Sequence, residues 1–338
     1  MTESLLLLIP VFNEWDLLGA LLQRIDSALA AAQLSADVVL LDDGSPQQPE
    51  GRLQVPALVA VRSVEILRLA RNLGHQRAIS IGLAWASDER PERTVVIMDG
   101  DGEDNPADIP KLLERFEANG RNQIVFAERA RRMESWLFQV CYRLYQFAHL
   151  LLTGHRVRVG NFSIVPPASV QQLAVISETW NHYAAAVINS RLAYDMVPTF
   201  RDRRIGGRSR MNFTALVVHG LSALSVFSHI IGVRLLIASG LLMAAAMTAL
   251  LAAALFGSGA SAPSGWLIGL FAWLFATVLQ STILGAAFVL LVLSGRQGTT
   301  FIPKRDYHYF IASLTALPVP SRDQTWSRSV LPTGSEAE

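Results

Sequence analysis

Two long apolar segments constrain the fold of this 338-residue chain more than any other feature of its sequence. Residues 235–256 and 266–293 contain no Lys, Arg, Asp or Glu. Each is long enough to cross a bilayer core of about 30 Å, which takes about 20 helical residues. Basic residues, among them Arg234 and Arg296, flank the pair on both sides, whereas the turn at 257–264 has none. The excess of positive charge on cytoplasmic loops therefore predicts a transmembrane hairpin with both ends in the cytoplasm.

The residues before the hairpin have the pattern of an α/β domain. Segments 4–9, 37–41 and 94–98 are short and apolar, as buried parallel strands are. Helical patterns at 15–33 and 76–86 lie between them. Alternating strands and helices predict an open sheet with helices on both faces, in which ligands bind beyond the carboxyl ends of the strands.

Polar residues follow each of these strands and are expected to meet at one edge of the sheet. They are Pro10 to Glu14, Asp42 to Ser45, and Asp99 to Asp101. Asp42 and Asp43 suit either a tight turn or the donor groups of a nucleobase or ribose. Glu14 could reach the same nucleoside.

The sequence Asp99-Gly100-Asp101 is the strongest candidate for chemistry. Two carboxylates one residue apart can share a hard divalent cation, Mg²⁺ or Mn²⁺, and the glycine lets a ligand approach the backbone. Asp-x-Asp also occurs in ordinary turns. However, Glu103 and Asp104 follow at once, and four acidic groups so close together repel each other unless a cation lies among them. We therefore interpret Asp99 and Asp101 as metal ligands.

Arginines supply the opposite charge. Residues 201–210 form a basic loop with two glycines, and it includes Arg204 and Arg210. Guanidinium groups bind phosphate in a bidentate manner, so the loop could hold a donor diphosphate, a lipid phosphate or both. The alternative is a patch that attracts anionic headgroups. The same two interpretations apply to Arg129 and the basic residues after it.

The rest of the composition argues against several classes of protein and of binding site. A formal net charge of +1 argues against a nucleic-acid-binding protein. Cys141 is the only cysteine, which excludes an internal disulfide and a cysteine-based zinc site. No secretory signal is evident. Segments 135–153 and 212–229 are aromatic or amphipathic and suit either the membrane interface or ordinary packing.

Taken in chain order, five motifs resemble the family 2 glycosyltransferases, in particular the branch that acts on polyprenyl phosphates. The motifs are Ile9-Pro10-Val11-Phe12-Asn13-Glu14, Leu41-Asp42-Asp43-Gly44-Ser45, Arg71-Asn72-Leu73-Gly74-His75-Gln76, Met98-Asp99-Gly100-Asp101 and Arg204-Ile205-Gly206-Gly207-Arg208-Ser209-Arg210. The resemblance covers roughly residues 4–293.

This resemblance implies a GT-A fold, a Rossmann-like open sheet, and transfer of a sugar from a nucleotide-sugar with inversion. It implies Mg²⁺ or Mn²⁺ on Asp99 and Asp101. It assigns nucleoside contacts to Pro10, Glu14 and Asp43, and phosphate contacts to Arg129, Arg204 and Arg210. We also expect Asp42, Asn72 and Gln76 in the donor site, and we expect the catalytic residues to be Asp99, Asp101, Arg204 and Arg210. A homo-oligomer, commonly a tetramer, is implied as well.

One departure from the family bears on the acceptor. The polyprenyl-phosphate branch usually has Gly-Asp-Phe-Arg-Leu, whose aspartate is a candidate base, where this chain has Asn161. An amide cannot accept that proton. An acceptor phosphate is already ionised and needs little help, whereas a hydroxyl needs a base. For a hydroxyl acceptor, Glu178 or His182 would be the residues to suspect.

The predicted organisation follows from these patterns. A cytoplasmic catalytic domain spans 1–211, with an interfacial helix at about 135–153, and a second interfacial helix spans 212–229. Two transmembrane helices lie within 230–293, and 294–338 is a partly disordered cytoplasmic tail. The expected protein is an enzyme of the bacterial inner membrane that takes a UDP- or GDP-hexose and a polyprenyl phosphate. The alternatives are a lipid or glycolipid hydroxyl as acceptor, or an inactive membrane anchor.

Overall fold

The computed structural model describes residues 4–129, 136–155, 159–199, 204–206, 213–256, 265–295 and 301–320. Within these residues the chain divides into two compact units. The first unit takes the described parts of Met1–Glu134, Val157–Val226 and Phe301–Glu338. The second takes those of Ser135–Arg156 and Phe227–Thr300.

The first unit is built on a mixed sheet of eight strands. The strands are β1 Ser4–Val11, β2 Ser35–Asp42, β3 Val61–Leu69, β4 Val95–Ile97, β5 Ile124–Arg129, β6 Val159–Val165, β7 Tyr194–Thr199 and β8 Ile311–Leu317. Their spatial order is β7-β5-β6-β4-β1-β2-β3-β8. The central strands β4, β1, β2 and β3 run parallel, and β6 and β8 join them antiparallel. The predicted open α/β sheet with three early parallel strands is confirmed.

Helices surround this sheet. Those of the first unit are α1 Trp15–Ala31, α2 His75–Glu89, α3 Ile109–Ala118, α5 Pro167–Leu173, α6 Tyr183–Asn189, α7 Phe213–Ser225 and α10 Pro303–Asp306. Leu7 and Ile9 of β1 pack in one core with Leu18 and Leu22 of α1. Leu8, on the opposite face of β1, is also fully buried. Because both faces of β1 are buried, its sequence is a continuous apolar run, as is usual for central parallel strands.

The second unit contains α4 Trp136–Thr153, α8 Ser228–Phe256 and α9 Gly265–Gly295. By length and composition alone, Ser228–Ala249 and Gly269–Phe288 could each cross a membrane. Large apolar side chains such as Leu241, Trp273 and Leu284 point outward from these helices. A helix that is apolar all round needs a nonaqueous environment on its outer face.

One detail differs from the predicted organisation. The helix expected at 135–153 is α4, which groups with the hairpin and not with the first unit. The tail was expected to be disordered only in part, and its strand β8 pairs with β3 from Val64↔Leu317 to Leu69↔Ile311. Backbone pairing with an open edge strand is a long-range interaction that the local composition of the tail does not reveal. The turn at 257–264 and the end of the tail at 321–338 lie outside the described residues.

Candidate active site

The carboxyl ends of β1, β2 and β4 lie side by side, as the strand pattern predicts. The backbone N–H of Asn13 donates to Ser45 Oγ at 2.9 Å and so connects the loops after β1 and β2. The loops after β1 and β4 also touch, because a Cβ on Gly100 would lie only 2.8 Å from the carbonyl oxygen of Pro10. The close approach requires glycine at this position. The three predicted polar segments, 10–14, 42–45 and 99–101, therefore lie together at the carboxyl edge of the sheet. We call this edge the rim.

The loop at 99–104 is organised around its own carboxylates. The N–H of Asp99 donates to Asp104 Oδ2 at 3.0 Å, and the N–H of Glu103 donates to Asp101 Oδ1 at 3.0 Å. Burial raises the pKa of Asp101, and the negative charge of Asp99 raises it further. The loop thus concentrates acidic groups in a position where their charges destabilise one another.

Arg204 brings positive charge to this loop from a distant part of the sequence. Its Nη2 donates to Glu14 Oε1 at 2.5 Å, and its Nη1 lies 3.8 Å from Asp101 Oδ2. The N–H of Ile205 donates to the carbonyl of Asp101 at 3.3 Å, which fixes the segment over the acidic loop. The Nε atom of Arg204 is buried without a hydrogen-bond partner. The structure therefore brings together Glu14, Asp101 and Arg204, three of the residues that the sequence analysis names as candidates.

A second polar group lies on the other side of Asp99. His75 Nε2 is 3.1 Å from Asp99 Oδ1 and 2.8 Å from Asn161 Nδ2, and Asn161 Nδ2 is 3.2 Å from the same Asp99 oxygen. Gln76 Nε2 donates to Asn161 Oδ1 at 3.0 Å. Burial lowers the pKa of His75, but the charge of Asp99 and of two further carboxylates of the loop outweighs it, so the pKa is raised.

His75 was not among the site residues that the sequence suggested. It follows Gly74 at the first position of α2, where a polar side chain can face the rim. The only sequence signal was its place inside the motif that ends with Gln76, because its spacing to other histidines resembles no metal site.

Asp42 and Asp43 are mainly occupied with shaping the rim. Asp43 accepts hydrogen bonds from the N–H of Leu73 at 2.7 Å and from the N–H of Gly74 at 2.8 Å. Asp42 accepts from the N–H of Ser45 at 2.9 Å. Burial raises the pKa of both carboxyl groups, and the hydrogen bonds that they accept partly offset it.

The remaining predicted residues are distributed around this centre. Pro10 faces Gly100 through its carbonyl, and Asn72 is exposed in the loop that Asp43 holds. Arg129 ends β5, but its side chain is not among those described. Arg210 lies outside the described residues.

The donor set fits a hard divalent cation in part. Asp99 and Asp101 offer carboxylate oxygens, and the raised pKa of Asp101 reports an acidic charge that a cation would stabilise. Among the described residues, no group of three or more His, Cys, Asp or Glu side chains is arranged to hold a metal ion. Magnesium commonly takes only one or two carboxylates and completes its shell with water and substrate phosphates, so two carboxylates suffice for that mode.

Comparison with known proteins gives the same assignment as the motifs. Residues 7–169 match the family model "Glycosyl transferase family 2". A glycosyltransferase of Synechocystis sp. is 23% identical over 230 residues, which cover 68% of this chain and 70% of the relative.

Two relatives have names that specify an acceptor. The undecaprenyl-phosphate 4-deoxy-4-formamido-L-arabinose transferase of Serratia proteamaculans is 30% identical over 146 residues, 43% of each chain. The dodecaprenyl-phosphate galacturonate synthase of Rhizobium johnstonii is 29% identical over 114 residues, 34% of this chain and 32% of the relative. The matched regions span less than half of either protein.

The order of the rim motifs, the open α/β sheet and the family match agree. Residues 7–169 match glycosyl transferase family 2, and the protein is a glycosyltransferase similar to enzymes of the polyprenyl-phosphate branch.

Proposed function

We propose that the protein transfers a hexose from a UDP- or GDP-sugar to a polyprenyl phosphate, with inversion, at the cytoplasmic face of a membrane. The observation that carries the proposal is the contact of Arg204 with Glu14 and Asp101 beside Asp99. A nucleotide-sugar needs acidic groups that bind a cation and a cationic group that binds phosphate, and this rim offers both within a few ångströms.

Asp99 and Asp101 would hold Mg²⁺ or Mn²⁺. When bound, such a cation neutralises the charge that develops on a leaving diphosphate. Arg204, and Arg210 by family resemblance, would contact phosphate oxygens. The ion pair of Arg204 with Glu14 keeps the guanidinium oriented towards the acidic loop until phosphate competes for it.

Donor binding by the other rim residues follows from their positions. Pro10 and Glu14 belong to the loop after β1, and Asp42 and Asp43 to the loop after β2. Asp43 also fixes the loop at 71–74, so its contribution to a nucleoside site includes holding that loop in place.

The acceptor is proposed from chemistry and from the relatives together. Both named relatives act on polyprenyl phosphates, and their sugars differ. The side chain of Asn161 lies next to Asp99, where the family resemblance places a candidate base. A phosphate acceptor needs no base at this position, because it is already ionised at neutral pH.

Membrane attachment would keep the site near a lipid acceptor. The described residues include two helices that could cross a bilayer, and exposed apolar residues on α7, such as Val218 and Leu221, suit the interface. The tetramer implied by the resemblance stays a prediction.

A transfer assay tests the proposal. Membranes that contain the full-length protein would be incubated with radiolabelled UDP- or GDP-sugars, polyprenyl phosphate, and Mn²⁺ or EDTA. We expect a labelled lipid whose formation needs the cation and whose linkage breaks in mild acid, as a glycosyl phosphate does. An acid-stable glycolipid would contradict the phosphate acceptor and support the hydroxyl alternative. Absence of both donor turnover and nucleotide-sugar binding would contradict the enzyme assignment.

A further inference from the structure

A chain of hydrogen bonds connects the start of α6 to Asp99 through two side-chain amides. The backbone N–H of Tyr183 donates to Gln76 Oε1 at 2.7 Å, and Gln76 Nε2 donates to Asn161 Oδ1 at 3.0 Å. Asn161 Nδ2 lies 3.2 Å from Asp99 Oδ1 and 2.8 Å from His75 Nε2. We call Gln76 and Asn161 the amide pair.

The orientation of both amides follows from one backbone group. A backbone N–H can only donate, so the group of Gln76 that faces Tyr183 must be its oxygen. Its NH₂ group then faces Asn161, which must present its oxygen in return. The NH₂ group of Asn161 is thereby directed at Asp99. Reversing either amide would place two donors or two acceptors face to face.

Both ends of the Asn161 amide have a partner in this arrangement. Its oxygen accepts from Gln76 and its NH₂ group faces Asp99, and it also donates to His75 Nε2 when that nitrogen carries no proton. The residue is only 7% exposed, so water cannot easily replace a lost partner. An amide fits this position because it offers an acceptor on one side and donors on the other.

We propose that Gln76 and Asn161 are positioning residues that fix the carboxylate of Asp99 for divalent-cation binding. This inference rests on the assignment of Asp99 as a metal ligand under the proposed function. Groups that hydrogen-bond to a ligating side chain orient it, and their loss commonly costs 10- to 100-fold in metal affinity or activity. Asn161 contacts Asp99, whereas Gln76 acts only through Asn161.

Asn161 then has a function of its own, and does not merely stand where related enzymes have a candidate catalytic base. An aspartate at position 161 would present an oxygen to Asp99 Oδ1 across the 3.2 Å that Nδ2 now spans. With no cation bound, two carboxylates at that distance repel, so Asp99 would keep this orientation only if one of the two groups were protonated.

The test measures Mn²⁺ binding to the full-length protein in detergent by electron paramagnetic resonance, with neither donor nor acceptor present. We expect Asn161→Ala and Gln76→Ala each to weaken Mn²⁺ binding about tenfold or more. The double variant should bind no more weakly than Asn161→Ala alone, because Gln76 acts through Asn161. Gln171→Ala is the matched control, since Gln171 donates to the Ser87 carbonyl and accepts from Lys304 elsewhere in the unit.

Gln76→Glu tests the same point while preserving shape. The glutamate can still accept from the N–H of Tyr183, but it presents an oxygen to Asn161. The Asn161 amide must then rotate so that its NH₂ group faces the glutamate and its oxygen faces Asp99. A negative charge near a cation strengthens binding by itself, so weaker Mn²⁺ binding in Gln76→Glu reports lost orientation. The melting temperature of each variant shows whether it is folded.

The outcomes separate this inference from the proposed function. Parent-like Mn²⁺ affinity in the two alanine variants, or additive losses in the double variant, would overturn the role of the amide pair and leave the metal assignment intact. A parent protein that does not bind Mn²⁺ at all would contradict the metal assignment itself, and with it this inference.

Discussion

At the residue scale, the carboxylates of the rim differ in what their oxygens contact. Asp43 accepts from two backbone N–H groups and stabilises a loop. Asp101 accepts from one N–H and otherwise faces Arg204 across 3.8 Å. Both follow parallel strands, so the rule that ligands bind beyond strand ends finds them equally well. Only the contacts distinguish a carboxylate that holds a loop from one that can meet a ligand.

Replacing Asp99 or Asp101 by Asn should lower cation-dependent turnover at least a hundredfold, a loss of about 2.7 kcal/mol or more in transition-state stabilisation. Asp101→Asn should not lower the melting temperature, because the buried charge that it removes is destabilised by burial and by Asp99. The radiolabel assay and a thermal-unfolding scan measure both effects. Near-normal activity in both variants would contradict the metal assignment. Glu50→Gln is the control, because Glu50 is exposed.

Asp43→Asn should instead destabilise the fold. One of the N–H groups of Leu73 and Gly74 would face an NH₂ group, and an unsatisfied buried donor costs about 1–3 kcal/mol. The expected result is a lower unfolding midpoint together with weaker nucleotide binding, measured by thermal unfolding and by titration with UDP and GDP. An unchanged midpoint with weaker binding would show that Asp43 serves only as a ligand contact.

At the scale of elements, the sequence predicts the centre of the sheet better than its edges. The early strands β1, β2 and β4 are continuous apolar runs, and the structure has all three within a few residues of their predicted bounds. Strand β3 escaped the prediction because charged residues interrupt it. Arg68 lies 3.5 Å from Asp42, and Glu65 lies 3.4 Å from Arg90, so these charges are paired and not signs of a loop.

The candidate site likewise has a part that the sequence predicts and a part that it does not. Convergence of the three rim segments was predictable because it depends on local strand ends. The amide pair was not predictable, because Gln76 and Tyr183 are 107 residues apart and their hydrogen bond depends on the packing of α6 beside α2. Of the basic residues predicted to bind phosphate, Arg204 lies beside the acidic loop, whereas the side chain of Arg129 and all of Arg210 lie outside the described residues.

The outermost strand β7 is fastened to α3 through Asp195, which suggests a pH-dependent test. Asp195 Oδ2 accepts from Asn119 Nδ2 at 2.9 Å and from Arg115 Nε at 2.6 Å. These two hydrogen bonds lower the pKa of Asp195, and the one from Asn119 has the larger effect. A carboxyl group whose pKa is lower in the folded state stabilises the protein above its unfolded pKa of about 3.9, and that contribution is lost as the pH falls through the folded value.

Asp195→Asn should therefore lower stability at pH 7 by on the order of 1 kcal/mol, as expected for a partly exposed ion pair. The difference between parent and variant should shrink as the pH falls below about 4. Thermal unfolding across this range measures it. A difference independent of pH would mean that the charge of Asp195 is not what stabilises β7. Glu114→Gln, on the exposed side of α3, is the control and should show no change.

At the scale of the whole molecule, one sheet contains strands from both sides of the helical hairpin. Strand β7 precedes α8, whereas β8 follows α9 and pairs with β3 in the same sheet. A sheet lies on one side of a membrane, so the chain between β7 and β8 must cross it an even number of times. Two crossings by α8 and α9 meet this requirement, and one crossing does not. The even number of crossings follows from the sheet alone and does not depend on the distribution of charge.

The same reasoning makes the topology testable with single cysteines in a Cys141→Ser background. Gly265→Cys lies at the start of α9, and Ser313→Cys is exposed on β8. In intact cells with a permeable outer membrane, a membrane-impermeant maleimide should label Gly265→Cys at once. Ser313→Cys should react only after the inner membrane is opened, because β8 belongs to the sheet that the proposed function places in the cytoplasm. Labelling of both positions from outside would place the sheet on the wrong side for cytoplasmic nucleotide-sugars. Labelling of neither would mean that the hairpin does not cross, in which case its exposed apolar surface would need a protein partner instead of lipid.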